Sequence, residues 1–142
     1  MLLGVNTWVW VSPLTDENLD EVLRRVADLG FDAVELPLER PGLLSAERVR
    51  AALAAHDLQP YVVGAMAPGR DLVAAPPETV ARTQDYLRAC VDLAADIGAR
   101  SVCGPFYAAT GRTWRMDADE RTTAYAEWRE HLAPVVEHAV AR

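Results

Sequence analysis

Short apolar runs alternate with longer amphipathic segments four times along the chain. The apolar runs are rich in β-branched residues and cover residues 2–8, 33–38, 60–65 and 101–106. They recur at roughly the 30 residues that one strand–helix–strand unit needs. Because strands that alternate with helices pair in parallel, the pattern predicts an α/β fold built from four parallel βα units.

The first two amphipathic segments carry helix boundary signals. In the first, apolar residues recur at helical spacing over residues 19–29, with Thr15 as the expected N-cap and Gly30 just past the end. Ser45 is expected to cap a second, shorter helix that closes at residues 56–57.

The last two helices have stronger signals. The third is expected to open after the proline pair at residues 76–77 and to end at Gly98. The fourth is expected to start at Asp117, where Glu120 completes a capping-box pattern. Its inward stripe is predicted to contain Trp128, Leu132, Val135, Val136 and Val140. Pro134 lies inside this stripe, so we expect a kink or a break one turn before it.

Composition narrows the class of protein. The chain has 142 residues, and its apolar fraction of 51% is enough for a single domain over residues 1–142. No apolar stretch approaches the ~20 residues of a membrane span, and no secretory signal is recognisable, so the cytoplasm is the expected location. Cys90 and Cys103 fall in predicted core positions and are expected as buried free thiols.

Charge excludes several functions. The net charge of −7 argues against a nucleic-acid groove, which needs clustered positive charge. The chain contains no lysine, which excludes Schiff-base chemistry and a Walker A phosphate loop. The first strand leads into Asn-Thr-Trp rather than a G-x-G-x-x-G turn, so a Rossmann dinucleotide site is not expected.

The loops that follow the strands contain the candidate functional residues. In parallel α/β folds the chemistry gathers at the carboxyl ends of the strands. The third and fourth loops run to roughly a dozen residues, longer than most connections, and loops of that length are commonly functional. Candidates from all four loops are Asn6, Trp8, Trp10, Glu35, Gly64, Met66, Arg70, Phe106, Tyr107 and Arg112. Glu39 also follows the second strand.

Each candidate has two interpretations. Trp8 and Trp10 either wall a small polar ligand or pack under a loop. Glu35 either contacts substrate or satisfies a buried hydrogen-bond partner. Arg70 either takes part in the site or pairs with Asp71 to fix its own loop.

Arg112 and the histidines complete the set of alternatives. Arg112 either reaches an anionic substrate group or fixes its loop. Three histidines lie late in predicted helices and are expected to be solvated or helix-terminal: His56, His131 and His138. Their spacing matches no zinc signature, so no metal site is expected within this chain.

Taken together, the loop segments resemble a known family. The segments are residues 5–8, 29–35, 64–72 and 104–107, followed by Gly-Arg at 111–112. They look like the N-terminal half of sugar phosphate isomerase/epimerase proteins, the xylose isomerase-like (β/α)8 TIM barrels that include the D-tagatose/D-psicose 3-epimerases. The Pro-Gly-Arg-Asp and Gly-Pro-Phe-Tyr loops are the most specific pieces.

The resemblance implies an enzyme that moves a proton between neighbouring carbons of a sugar or sugar phosphate through an enediolate. In that family a divalent metal (Mn, Co or Mg) polarises the substrate oxygens, and two glutamates exchange the proton. The ligands Glu, Asp, His and Glu come from the fifth to eighth strands, which are not among the four found here. The present half implies sugar-pocket walls, where Trp8, Trp10, Met66, Phe106 and Tyr107 map.

The resemblance covers essentially the whole chain but only half of a barrel, which takes about 250 residues. We therefore expect a chain truncated before the fifth strand, inactive by itself, that self-associates through exposed sheet edges or faces or derives from a longer protein. Alternatives are an inosose dehydratase, a hydroxypyruvate isomerase, an endonuclease acting at abasic DNA sites, and a half-barrel module without chemistry.

Overall fold

The computed structural model describes all 142 residues as one parallel sheet with four helices packed in chain order. The strands are β1 (Gly4–Asn6), β2 (Ala33–Leu38), β3 (Gln59–Gly64) and β4 (Val102–Cys103). The helices are α1 (Leu19–Asp28), α2 (Ala46–His56), α3 (Pro77–Ile97) and α4 (Ala118–Ala141). The sheet order is β1-β2-β3-β4 and every pair is parallel. The prediction of four parallel βα units is therefore confirmed.

Most of the predicted helix boundaries are present. Gly30 and Gly98 follow α1 and α3 with φ of 81° and 76°, the left-handed conformation that glycine adopts without a Cβ penalty. Both hydrogen bonds of the Asp117–Glu120 capping box are formed. The Thr15 N-cap was wrong, because residues 16–18 form a turn and α1 begins only after Asn18.

α4 continues through Pro134 from Ala118 to Ala141, so of the predicted kink or break the break was wrong. The kink stays a prediction. A proline removes one backbone donor and leaves the carbonyl four residues earlier unpaired. That carbonyl belongs to Glu130, which is exposed, so water can satisfy it while packing on α3 holds the rest of the helix.

The main core lies between the sheet and the helices. Side chains alternate along a strand, so every second residue of β2 faces the helices. Val34, Leu36 and Leu38 are buried in a cluster of 24 residues that includes the inward faces of α1, α2 and α3. The residues between them, Ala33, Glu35 and Pro37, face the opposite side of the sheet. The long apolar run of β2 thus reflects burial on both faces.

α4 is less buried than its sequence predicts. Val135 packs against α3 in the core, but Val136 is 52% exposed and Val140 is 84% exposed. Val136 lines the groove between α3, β4 and α4, where no further element of the structure covers it, and Val140 lies in the last turn of α4. The inward stripe of α4 is therefore narrower than predicted.

The two cysteines differ. Cys90 is fully buried on α3, and burial raises the pKa of its thiol to about 11. Cys103 is exposed, so the prediction of two buried thiols was wrong for it. The reason is that β4 is a two-residue edge strand. Partial burial, with a smaller effect of the Glu35 carboxylate, still raises the pKa of Cys103. None of the helices combines the length and apolar character that crossing a membrane requires.

Candidate functional site

A cavity of about 630 Å³ opens at the carboxyl ends of β1, β2 and β3. It is lined by Trp8, Ser12, Pro13, Glu39, Arg40, Ala65, Met66, Ala67, Arg70 and Thr110. Met66 is almost completely buried and forms part of an apolar wall that reaches into the core. Of the residues that the sequence predicts for the site, the cavity brings together Trp8, Met66 and Arg70.

Glu39 is the polar centre of this cavity. Its Oε1 oxygen accepts hydrogen bonds from the Trp8 indole N–H at 2.9 Å and from the Ser12 hydroxyl at 2.6 Å. Its second carboxylate oxygen accepts no hydrogen bond from the protein. An aromatic face beside an acceptor with free capacity is an arrangement that suits a polyhydroxylated ligand.

Asn6 and Glu35 form a second polar pair at the same end of the sheet. They are register partners on β1 and β2, and the Asn6 Nδ2 donates to Glu35 Oε2 at 2.9 Å. Asn6 Oδ1 also accepts the backbone N–H of Trp8 and so caps the 3₁₀ turn Thr7–Val9 that ends β1. Glu35 therefore has a structural hydrogen-bond partner, Asn6, as one of its two interpretations predicted. Its contact with a substrate stays a prediction.

Arg70 does not pair with its neighbour Asp71. Its guanidinium lies over the Tyr86 ring at 3.6 Å from the ring centroid. It donates to two backbone carbonyls, those of Ala65 and of Glu39. Tyr86 in turn donates its hydroxyl to Leu38 O at 2.6 Å and accepts the Ala65 N–H. The two side chains thus connect the loops that follow β2 and β3.

The protonation of Tyr86 is fixed by its surroundings. Burial raises the pKa of the phenol far above its ordinary value, and the nearby Cys90 raises it further. The hydroxyl therefore keeps its proton at neutral pH and can both donate and accept a hydrogen bond.

Asp71 instead connects the third and fourth loops. Its side chain is buried, accepts the Ala109 N–H at 2.8 Å and pairs with Arg112 at 2.9 Å. Arg112 also donates to the carbonyls of Val73 and Ala74. Its guanidinium lies over the Trp114 ring at 4.8 Å. Loop fixation is thus the observed role of Arg112, and no anionic group is needed to account for it.

Phe106 and Gly64 lie away from the cavity. The Phe106 ring packs against Gly64 and Gly104 on the helix side of the sheet, where a Cβ added to Gly64 would come within 2.6 Å of the ring. Trp10 also packs against the core, with the guanidinium of Arg25 at 5.7 Å from its ring centroid. These placements separate three predicted pocket residues from the site, and their contact with a ligand stays untested.

Tyr107 lines a different cavity, of about 350 Å³, beside the N-terminal half of α4. Its other walls include Trp114, Met116, Tyr125 and Trp128. Tyr107 is half exposed, and its backbone carbonyl accepts the N–H groups of residues 72 and 73. The predicted wall of five apolar side chains is thus divided among two cavities and the core.

Two of the histidines have specific partners. His131 Nδ1 lies 2.6 Å from Leu72 O, which connects α4 to the third loop. His138 Nε2 lies 2.8 Å from Asp92 Oδ1 on α3. The expectation of a solvated residue was therefore wrong for His131, because α4 packs beside the loop that follows β3.

The donor set for a metal does not come together in this chain. No group of three or more His, Cys, Asp or Glu side chains is placed to hold an ion. Glu35 and Glu39 lie at the same end of the sheet, but each accepts hydrogen bonds from neighbouring side chains and no third ligand accompanies them. The residues present therefore do not fit the divalent metal that the family resemblance implies.

Sequence reasoning missed Ser12, Arg40 and Thr110 as cavity residues and did not single out Tyr86. Position directly after a strand was the one signal that pointed to Glu39. For Tyr86, a tyrosine on the inward stripe of a helix was a usable signal, because a buried hydroxyl requires a partner.

The chain is similar in sequence to a known family and to two characterised epimerases. A family model described as the xylose isomerase-like TIM barrel matches residues 23–142. A ketose 3-epimerase from Arthrobacter globiformis is 28% identical over 109 residues, which is 77% of this chain and 38% of that protein. An L-ribulose 3-epimerase from Methylomonas sp. (strain DH-1) is 22% identical over the same shares. The matched part of the chain thus covers only 38% of the length of each of these relatives.

Solved structures agree on the fold. A structure of L-ribulose 3-epimerase superposes with a TM-score of 0.85 at 24% identity, over 99% of this chain and 46% of that one. A D-allulose 3-epimerase from Methylomonas sp. gives 0.82 at 19% identity, over 98% and 49%. The four βα units therefore correspond to half of a (β/α)8 barrel.

Proposed function

Because the chain belongs to the xylose isomerase-like TIM barrel family, we propose that it forms the N-terminal half of the substrate-binding mouth of a sugar isomerase or epimerase. The observation that carries this proposal is the Glu39 cluster at the carboxyl ends of the strands. There an indole, a serine hydroxyl and a carboxylate with one oxygen that accepts no hydrogen bond line a cavity with an apolar wall. Barrel enzymes bind their substrates at this end of the strands.

The charge of the mouth favours a sugar without a phosphate group. Glu35 and Glu39 bring two carboxylates to it, and both would repel an anion. Arg70 and Arg112 are already bonded to backbone carbonyls. Arg40, exposed at the rim, is the cavity's other guanidinium. Sugar hydroxyls, in contrast, can donate to the free oxygen of Glu39.

The reaction that we propose is epimerisation or isomerisation of a ketose by proton transfer between neighbouring carbons through an enediolate. When bound, a divalent metal such as Mn, Co or Mg would supply Lewis-acid polarisation of the substrate oxygens. Since β1–β4 offer no donor set, the metal and the proton-transfer groups would belong to other strands of a complete barrel. This chain contributes binding and orientation of the sugar, and we expect it to be inactive by itself.

Ligand binding by the 142-residue chain tests the proposal. Saturation-transfer NMR with D-allulose and D-tagatose is expected to show binding, and Glu39→Gln is expected to weaken it about tenfold, because a charge-assisted hydrogen bond is lost. Glu21→Gln on the exposed face of α1 is the matched control and should bind as the parent chain does. Equal binding by Glu39→Gln and Glu21→Gln would contradict the assignment of the cavity.

Activity of the same chain is measured by ²H incorporation at C3 of these ketoses in D2O with added Mn²⁺ or Co²⁺. No incorporation is expected, and metal-dependent incorporation would refute the inactivity while supporting the reaction class. Turnover of an inosose or of hydroxypyruvate by the product of the native reading frame would favour the related dehydratase or isomerase instead.

Self-association of the chain is a second proposal, favoured by one surface. A groove of about 450 Å³ runs between α3, β4 and α4, and 11 of its 14 lining residues are hydrophobic. Val136, which lines it, and Val140 on the same helix are both exposed. Exposed apolar surface of this kind favours association, and a second copy of the chain is the proposed occupant.

Sedimentation velocity at micromolar concentration tests this second proposal. The parent chain is expected to sediment as a dimer or larger species, and Val136→Asp is expected to shift it to the monomer, because a charge would be buried in the apolar contact. Ala126→Asp on the outer side of α4 should leave the distribution unchanged. A monomeric parent chain would exclude self-association.

A further inference from the structure

Tyr86 and Arg70 form a strut below the cavity, although neither was expected to hold the loops together. Tyr86 rises from the middle of α3, and its hydroxyl bridges Leu38 O at the end of β2 and Ala65 N just after β3. Arg70 stacks on the same ring and adds bonds to the carbonyls of Ala65 and Glu39. Four backbone groups of two loops are thus held by two side chains.

The strut ends at the residue that organises the site. The Nη2 atom of Arg70 donates to the backbone carbonyl of Glu39 at 2.6 Å. The side chain of Glu39 then holds the Trp8 indole and the Ser12 hydroxyl from the loop after β1. A continuous series of hydrogen bonds therefore runs from α3 through the second and third loops to the aromatic side chain of the first.

We propose that Tyr86 and Arg70 are positioning residues, which fix the loops after β2 and β3 to each other and so set the geometry in which the Glu39 carboxylate and the Trp8 indole meet a sugar. The proposal rests on the proposed sugar-binding function. It adds that Tyr86, on helix α3, sets the geometry of the ligand site. Its hydroxyl acts through the backbone of the two loops and does not have to touch the sugar.

Loss of one member leaves backbone groups unpaired. Tyr86→Phe keeps the ring under Arg70 but removes the partner of the buried Leu38 O and of the partly buried Ala65 N–H. Unpaired buried groups are costly, so the loops are expected to move until water reaches them. Arg70→Lys keeps the positive charge but loses the planar stack and the fork that reaches two carbonyls at once.

The indole N–H resonances of the chain provide a readout that does not depend on sugar binding. Trp8 donates to Glu39, whereas Trp128 donates to Phe106 O at 2.8 Å in a different part of the structure. In ¹H–¹⁵N spectra, Tyr86→Phe and Arg70→Lys are each expected to shift the Trp8 indole resonance and leave that of Trp128 in place. Tyr125→Phe, at an exposed tyrosine of α4 in the cavity beside Trp128, is the matched control and should leave the Trp8 resonance in place.

Ketose affinity is the second readout. Both variants are expected to bind D-allulose about tenfold more weakly than the parent chain, the factor that corresponds to one misplaced hydrogen bond. If no ketose binds the parent chain, the proposed function fails. The Trp8 resonance then still shows whether Tyr86 and Arg70 position the loops. An unmoved Trp8 resonance in both folded variants would overturn the inference, as would full ketose affinity alongside a shifted resonance.

Discussion

Gly104→Ala is expected to lower the free energy of unfolding by about 4 kcal/mol, because strain and overpacking add at this position. Gly104 has φ of 151°, a conformation that residues with a Cβ rarely adopt. A Cβ there would lie 2.5 Å from the Phe106 ring and 2.7 Å from the carbonyl oxygen of Gly64. Urea denaturation followed by far-UV circular dichroism measures the change.

Gly64→Ala separates the two causes. Its backbone is unstrained, and its added Cβ meets the same ring at 2.6 Å, so overpacking alone applies and a loss of about 2 kcal/mol is expected. Removing the ring with Phe106→Ala should relieve most of the Gly64→Ala penalty and only part of the Gly104→Ala penalty. A Gly104→Ala protein as stable as the parent would contradict the packing described at the ends of β3 and β4.

Asp71→Ala is expected to cost about 3 kcal/mol, because a buried N–H loses its acceptor and an arginine that is 37% exposed loses its counter-ion. Asp71 is only 7% exposed, and its carboxylate accepts the N–H of Ala109, a residue that is itself buried. Without the carboxylate, this donor is unpaired and Arg112 loses its counter-ion. The third and fourth loops should then separate, which urea denaturation detects as a lower midpoint.

Two further variants show how much of the lost stability comes from the hydrogen bond and how much from the ion pair. Asp71→Asn keeps an acceptor for the Ala109 N–H, so we expect it to recover about 1 kcal/mol of the loss. Asp28→Ala removes an ion pair with Arg24 that is 3.1 Å long but exposed on α1, and its cost should stay below about 1 kcal/mol. If Asp71→Ala costs no more than Asp28→Ala, Asp71 does not hold the loops together.

The parts of the fold that could be predicted are those whose signals are local. β2 was located at its observed bounds because five of its six residues are apolar and buried, on both faces of the sheet. The ends of α1 and α3 followed from glycines, and the start of α4 from a capping box that needs only four consecutive residues. β1 and β4 are shorter than predicted, because Asn6 caps a 3₁₀ turn and the backbone turns away at Gly104.

The site was harder to predict because its contacts join residues far apart in the sequence. Arg70 and Asp71 are adjacent and opposite in charge, which suggests a pair, yet Asp71 bonds to Arg112 and Arg70 bonds to Glu39. The family resemblance placed Phe106 in the wall of the sugar pocket. The absence of side chains at Gly64 and Gly104 draws its ring to the helix side instead.

The shortness of β4 has a consequence for behaviour at high concentration. An edge strand templates cross-β aggregation through its row of unpaired N–H and C=O groups. β4 offers only two residues, and Gly104 then ends the extended backbone at once with its positive φ. A strand added to this edge could form backbone hydrogen bonds with only two residues. The unpaired edge of the sheet is therefore a poor template for fibril growth.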